Sequence, residues 1–171
     1  ALEGYEECRR KFEFSLRYAK AMGKNSFYFF QQEDYTAFLR KEKIISALRR
    51  SIAEQYKGFS VHYQPIMDCA AETIIGAEAL MRFTMDSEEG PEVISPIEFI
   101  PLLEETQTIS QIDFFVFEFV CLRLQKWIHE GRAISPVSVN FSRYTVLEET
   151  FCQRLAELSD HYQIERNLLE I

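Results

Sequence analysis

The spacing of apolar positions along the chain predicts two helices, then strands broken by further helices. Leu2, Tyr5, Phe12, Leu16 and Ala19 recur at helical intervals, so residues 2–22 read as a helix that Gly23 stops. Ser26-Phe27-Tyr28-Phe29-Phe30 is aromatic and reads as a short strand. Residues 35–56 read as a second helix, with Phe38, Ile44, Ile45, Leu48 and Ile52 along one side and Gly58 at its end. This is an N-terminal helix-strand-helix segment.

The pattern changes at residue 59. Phe59–Gln64 reads as a strand closed by Pro65, Asp68–Glu72 as a turn, and Thr73–Phe83 as the next strand. Asp86–Glu92 is an acidic loop. Ser95-Pro96-Ile97-Glu98 then has the form of a helix start: a capping serine, proline at the first helical position, and a glutamate that completes a capping box. Ile109–Ile128 is a long apolar helix carrying Ile112, Phe115, Val116, Phe119, Val120 and Trp127, with Gly131 as its stop. Val137–Ser142 alternates as a strand, 148–161 reads as a helix, and Gln163–Ile171 as one more strand. Strands alternating with helices favour parallel pairing through helical crossovers, an α/β layout.

Composition narrows the function classes. A chain of 171 residues with 47% hydrophobic content can bury the core of one ordinary domain. A net charge of -8 argues against a general nucleic-acid binder. Lys41, Lys43, Arg49 and Arg50 form a local basic cluster that reads as a solvated helix face. No apolar run is long enough to cross a membrane and no signal peptide is visible. Cys8, Cys69, Cys121 and Cys152 show no paired spacing, which suits reduced thiols in a cytoplasmic protein. His62, His129 and His161 have no ligand spacing either.

The candidate chemistry lies in Gly76-Ala77-Glu78-Ala79-Leu80-Met81-Arg82-Phe83. Residues of one strand that differ by an even number share a face, so Glu78 and Arg82 point the same way. Opposite charges on an otherwise apolar strand are costly unless they pair or bind something. Pairing with each other and holding a ligand both remain open on this pattern alone.

Five ordered segments carry a family resemblance: Tyr63-Gln64-Pro65-Ile66; Gly76 to Arg82 with the intact Glu78-Ala79-Leu80 triplet; Ser95-Pro96 with Phe99-Ile100-Pro101 and Glu104-Glu105; Ser138-Val139-Asn140-Phe141-Ser142; and Leu169-Glu170-Ile171. Over about residues 54–171 they resemble the N-terminal half of an EAL domain, a family that hydrolyses the bacterial second messenger cyclic di-GMP. Tyr18-Ala19-Lys20 and Gly23-Lys24-Asn25, followed by Tyr28 and Phe30, resemble the last helix and final strand of a GGDEF domain. The expected division is a GGDEF-like tail over 1–35, a helical connector over 36–56, and a truncated EAL domain over 57–171.

The resemblance implies a partial (β/α) barrel whose working residues sit at the C-terminal ends of strands. It makes Glu78, Asn140 and Glu170 ligands of a Mg²⁺ or Mn²⁺ centre, gives Arg82 a ligand phosphate, and sets Gln64 near a guanine of bound cyclic di-GMP. The family's general base and Asp-Asp pair are expected beyond Ile171, so the fragment alone is expected to be inactive. A non-catalytic EAL domain that senses cyclic di-GMP or contacts a partner is the alternative, and a purely structural signalling connector the third reading. Half a barrel exposes sheet edges, which predicts self-association or a homodimer.

Overall fold

Helices form where propensity and spacing agree, and the aromatic stretch between the first two does not become a strand. The structure, a computed structural model, describes residues 2–171, with side chains from residue 4 onward. The chain divides into two units, up to Ser46 and from Ala47.

In the first unit, α1 (Leu2–Ala21) carries i,i+3 and i,i+4 ion pairs between Glu6 and Arg9, Glu7 and Lys11, and Arg9 and Glu13. The sequence reading assigns its apolar face to Leu2, Tyr5, Phe12, Leu16 and Ala19. Leu2 lies outside the described side chains, and Tyr5, Phe12 and Leu16 are exposed. Phe14 is the buried residue instead, surrounded by the rings of Tyr18, Tyr28, Phe30, Tyr35 and Phe38. Aromatic rings gather where they can meet edge to face, and that clustering overrides the apolar stripe.

Residues 26–30 are irregular. They keep a strand's alternation, with Tyr28 and Phe30 turned to Phe14 while Phe27 and Phe29 stay 73% and 74% exposed. A strand needs a hydrogen-bonded neighbour, and none of the described residues supplies one. α2 (Gln32–Ala53) follows, starting three residues before the sequence places it.

The second unit is built on one long strand. β1 (Phe59–Asp68) and β2 (Thr73–Ser87) form an antiparallel hairpin. Pro65 does not end β1: the strand lies at the sheet edge, where a missing N–H is tolerated. The turn forms as the sequence indicates, with Asp68 Oδ1 accepting from the N–H groups of Ala70 and Ala71. The acidic stretch 86–92 is no loop. It is the turn of a second hairpin, since β3 (Gly90–Ile94) pairs antiparallel with the end of β2.

Helix α3 (Pro96–Glu105) begins at Ser95 as predicted, but the capping box is not made. The Ser95 carbonyl accepts from the N–H groups of Glu98 and Phe99, and its side chain makes no cap bond. α4 (Ile109–His129) ends on Gly131 at φ +67°, with Gly131 N–H on the Ile128 carbonyl and Arg132 N–H on that of Trp127, a Schellman closure.

β4 (Val137–Val139) is shorter than its alternation suggests. Asn140 leaves the sheet, and Ser142 starts a short helix, α5 (Arg143–Val146). The helix read over 148–161 is thus preceded by a separate turn and narrows to α6 (Phe151–His161). The last predicted strand shrinks to β5 (Leu169–Glu170), behind a 3₁₀ turn at Arg166–Leu168. β2–β4 and β4–β5 pair parallel, while the hairpins are antiparallel, so the sheet is mixed and not wholly parallel. The α/β fold class holds: sheet and helices with parallel crossovers. No described helix is long and apolar enough to cross a membrane.

One sheet face carries the core. Phe83, Met85, Ala79, Val137 and Val139 are buried with Phe99, Leu103, Ile112, Val116 and Val120 of α3 and α4. Phe83 packs on Phe59 and Phe99, and Tyr63 lies against Trp127. Phe83 is paired on both sides, with Phe59 and with Ile94, so β3 and β4 share the edge of β2 opposite β1.

The entry into β1 is tight. Gly58 adopts φ +93°, and a Cβ there would stand 2.4 Å from the Thr84 carbonyl oxygen. Thr84 N–H donates to the Gly58 carbonyl at 2.9 Å, so neither backbone can retreat without breaking that bond. Gly58→Ala is expected to destabilise the second unit by roughly 3 kcal/mol, a positive-φ penalty plus a backbone clash. Urea unfolding followed by Trp127 fluorescence measures it, and a change below about 0.5 kcal/mol would remove this joint from the account.

Candidate functional site

Strand register decides where each candidate residue goes. Gln64 pairs with Glu78, Glu78 with Ser138, and Ser138 with Glu170. The four form one row across β1, β2, β4 and β5. Paired residues in a sheet share a face, so the row lies on the side away from α3 and α4. Arg82, four past Glu78 on β2, shares that face, while Asn140 has left the sheet. Four of the five residues singled out in the sequence therefore share one side of the sheet, and Asn140 reaches them through Glu78.

The closest meeting is between Asn140 and Glu78, 62 residues apart in sequence. Asn140 Nδ2 donates to Glu78 Oε1 at 2.6 Å. Glu170 stands two strands from Glu78, roughly 10 Å between Cα atoms at ordinary strand spacing, within joint reach of two long carboxylate side chains. Gln64 flanks Glu78 on the other side and is exposed. Arg82 is half-buried, and its Nη1 donates to the Met81 carbonyl at 2.9 Å. Glu78 and Arg82 form no ion pair with each other among the described residues, so that open alternative is not the one adopted.

Arg82 and Asn140 line a cleft of about 210 Å³ together with Leu80, Ile100, Glu104 and Asp113. Its lining mixes apolar side chains with a few polar ones, the usual make-up of a small-ligand site. Two carboxylates and an amide are the oxygen donors a hard divalent cation takes. Asn140 now turns its nitrogen to Glu78. A cation shared by both would meet the amide oxygen after a half-turn of the terminal torsion, an exchange of near-isosteric atoms. Among the described residues no three His, Cys, Asp or Glu side chains gather at ligand spacing. A cation here therefore rests on the amide and on further donors.

The loop bearing Asn140 is held from below by residues that sequence reading passes over. Asp113, on α4, is 5% exposed. Its Oδ2 accepts from Ser142 N–H at 2.9 Å and from the Thr145 hydroxyl at 2.5 Å. The Ser142 hydroxyl donates to Glu104 Oε1 at 2.8 Å. Phe141, between them, packs against Phe114, Phe117 and Phe151. This explains why β4 stops: the Ser142 N–H goes to a carboxylate and not to a neighbouring strand. The signal in the sequence is a single acid between Ile112 and Phe114 in an otherwise apolar helix.

Burial raises the Asp113 carboxyl from its ordinary range to about 6, against the lowering effect of the Thr145 and Ser142 donors, and nearby Glu104 and Glu148 raise it further.

The family model described as the EAL domain matches residues 45–171. The Bifunctional diguanylate cyclase/cyclic di-GMP phosphodiesterase MucR of Pseudomonas aeruginosa is 29% identical over 130 residues, covering 75% of this chain and 18% of that protein. The Signaling protein YkoW of Bacillus subtilis is 27% identical over 169 residues, 96% of this chain and 20% of that one. The chain thus spans about a fifth of the length of these curated relatives. The solved structure of the PaMucR phosphodiesterase in complex with c-di-GMP superposes with a TM-score of 0.65 at 26% identity, over 74% of this chain and 49% of that one.

The raised Asp113 carboxyl sets a pH dependence. The folded state holds its proton more tightly than the unfolded chain, so the associated stability is full below about pH 4 and is lost as pH rises through about 6. Asp113→Asn keeps one accepting oxygen and cannot ionise. The stability of the variant relative to wild type should improve by on the order of 3 kcal/mol between pH 4 and pH 7. Guanidinium unfolding at both pH values measures this, and a pH-independent difference would contradict the desolvated carboxylate.

Proposed function

The chain belongs to the EAL-domain family, and from that premise we propose that residues 57–171 are the N-terminal half of a cyclic di-GMP phosphodiesterase domain. The whole domain would cleave cyclic di-GMP to linear pGpG. The observation that carries this reading is the row Gln64–Glu78–Ser138–Glu170 on the helix-free face, with Asn140 bonded to Glu78.

Glu78, Asn140 and Glu170 would hold a Mg²⁺ or Mn²⁺ ion. When bound, such a cation neutralises phosphodiester charge and acidifies a water. Arg82, with its planar fork over the cleft, would fix a phosphate. Gln64, at the outer end of the row, offers a donor and an acceptor to a guanine edge. A domain that only senses cyclic di-GMP needs Arg82 and Gln64 but not the three oxygen donors, and their presence together favours hydrolysis over sensing.

The chain spans about half of the solved phosphodiesterase domain it resembles, and the proposal assigns the general base and a further Asp-Asp pair to the other half. Residues 1–35 would be the tail of a GGDEF domain and 36–56 a helical connector; residue 1 lies outside the described residues. MucR, named for both a cyclase and a phosphodiesterase, supports a cyclase-type neighbour in the same polypeptide. Free cysteines throughout suit a cytoplasmic setting. The edges at β1 and β5 would pair with a second copy.

Incubated with cyclic di-GMP and Mn²⁺, the 171-residue chain should yield no pGpG, and a protein extended to the full barrel should yield it. In the extended protein Glu78→Ala should lower kcat by about 100-fold or more. Chromatography of the nucleotides reads both, and full activity in the Glu78→Ala protein would sink the reading.

A further inference from the structure

We infer that Asp113 is a positioning residue for Asn140, acting through a two-armed clamp on Ser142. The inference rests on the reading above only in giving Asn140 a ligand to meet; the clamp itself is a matter of hydrogen bonds.

Asn140 has just left β4 and is exposed, so the sheet no longer fixes it. Upstream, Val139 is the last residue in register, paired with Ala79. Downstream, the first fixed point is Ser142. Its N–H is taken by Asp113 Oδ2 and its hydroxyl by Glu104 Oε1, so α4 and α3 each hold it by one bond. Thr145, fully buried, donates to the same Asp113 oxygen and ties α5 to the same anchor. The Phe141 ring is wedged among Phe114, Phe117 and Phe151, so the intervening residue cannot swing.

Asn140 thus lies with Phe141 between two fixed points, Val139 and Ser142, with its side chain turned to Glu78. A buried carboxylate is costly unless fully bonded, and an apolar residue in this position would cost the fold less. The bonds that Asp113 accepts all lie within five residues of Asn140 in sequence. Charge-assisted bonds of this kind hold geometry more firmly than neutral ones. A working side chain at the end of a short strand requires that kind of support.

The test reads the Asn140 side-chain amide by two-dimensional ¹H–¹⁵N NMR on the 171-residue chain, with Asn140→Asp identifying the signal. In wild type the amide proton bonded to Glu78 should be displaced from the free-asparagine shift and exchange slowly. In Asp113→Ala both signals should move to the shifts of a free asparagine amide and exchange about tenfold faster. In Asp113→Asn, which keeps one accepting oxygen, the wild-type signature should return. Ser142→Pro suits the residue's φ of −64° and deletes both donors without touching α3 or α4. It should reproduce the Asp113→Ala spectrum, and it serves if that variant fails to fold. A wild-type Asn140 signal in either folded variant overturns the inference, since a merely structural Asp113 would lower stability and leave that signal in place. No metal or nucleotide enters the measurement, so its outcome is independent of whether the chain binds Mn²⁺.

Discussion

The two-residue alternation of one strand governs this molecule. β2 sends Ala79, Phe83 and Met85 into the helical layer and Glu78, Leu80 and Arg82 to the other side. Its partners inherit the same division through register, which is why Val137 and Val139 are core while Ser138 and Asn140 are not. A slip of one residue against β4 would bury Ser138 and expose the valines, a penalty large enough to lock the register. The acidic and amide groups are assembled by the same energetics that make the core.

The support around Asn140 shows a second level of construction. Sheet pairing brings Glu78 and Ser138 together but ends before the amide. Beyond that point, helices take over through polar bonds: α4 with Asp113 and α3 with Glu104. These bonds are part-buried and made to carboxylates, so they cost stability where an apolar contact would not. The molecule accepts that cost at the place where a side chain must be oriented.

Much of this was readable from the sequence, unevenly. The face shared by Glu78 and Arg82 follows from spacing, and long helices such as α4 announce themselves by period and by Gly131. What escaped depends on partners distant in sequence. Pro65 looks like a terminator until β1 is known to be an edge, and residues 86–92 look like an acidic loop until β3 closes the hairpin. The stretch 26–30 has a strand's alternation with no ladder to join. Asp113 drew no notice because a lone acid in an apolar helix gains meaning only from Ser142, 29 residues away. The tight joint at Gly58 likewise depends on Thr84 across the sheet.

The helix-free side of the sheet leaves Gln64, Asn140 and Glu170 open to water. Charges in that setting act through a high dielectric and are screened within about 8–10 Å at physiological ionic strength. Attraction between Arg82 and any anion resting on this side is therefore attenuated by salt, whereas the same guanidinium under a closed roof of protein would act through a medium several times less polarisable. Enclosure, more than any added charge, would multiply the strength of what this surface already presents.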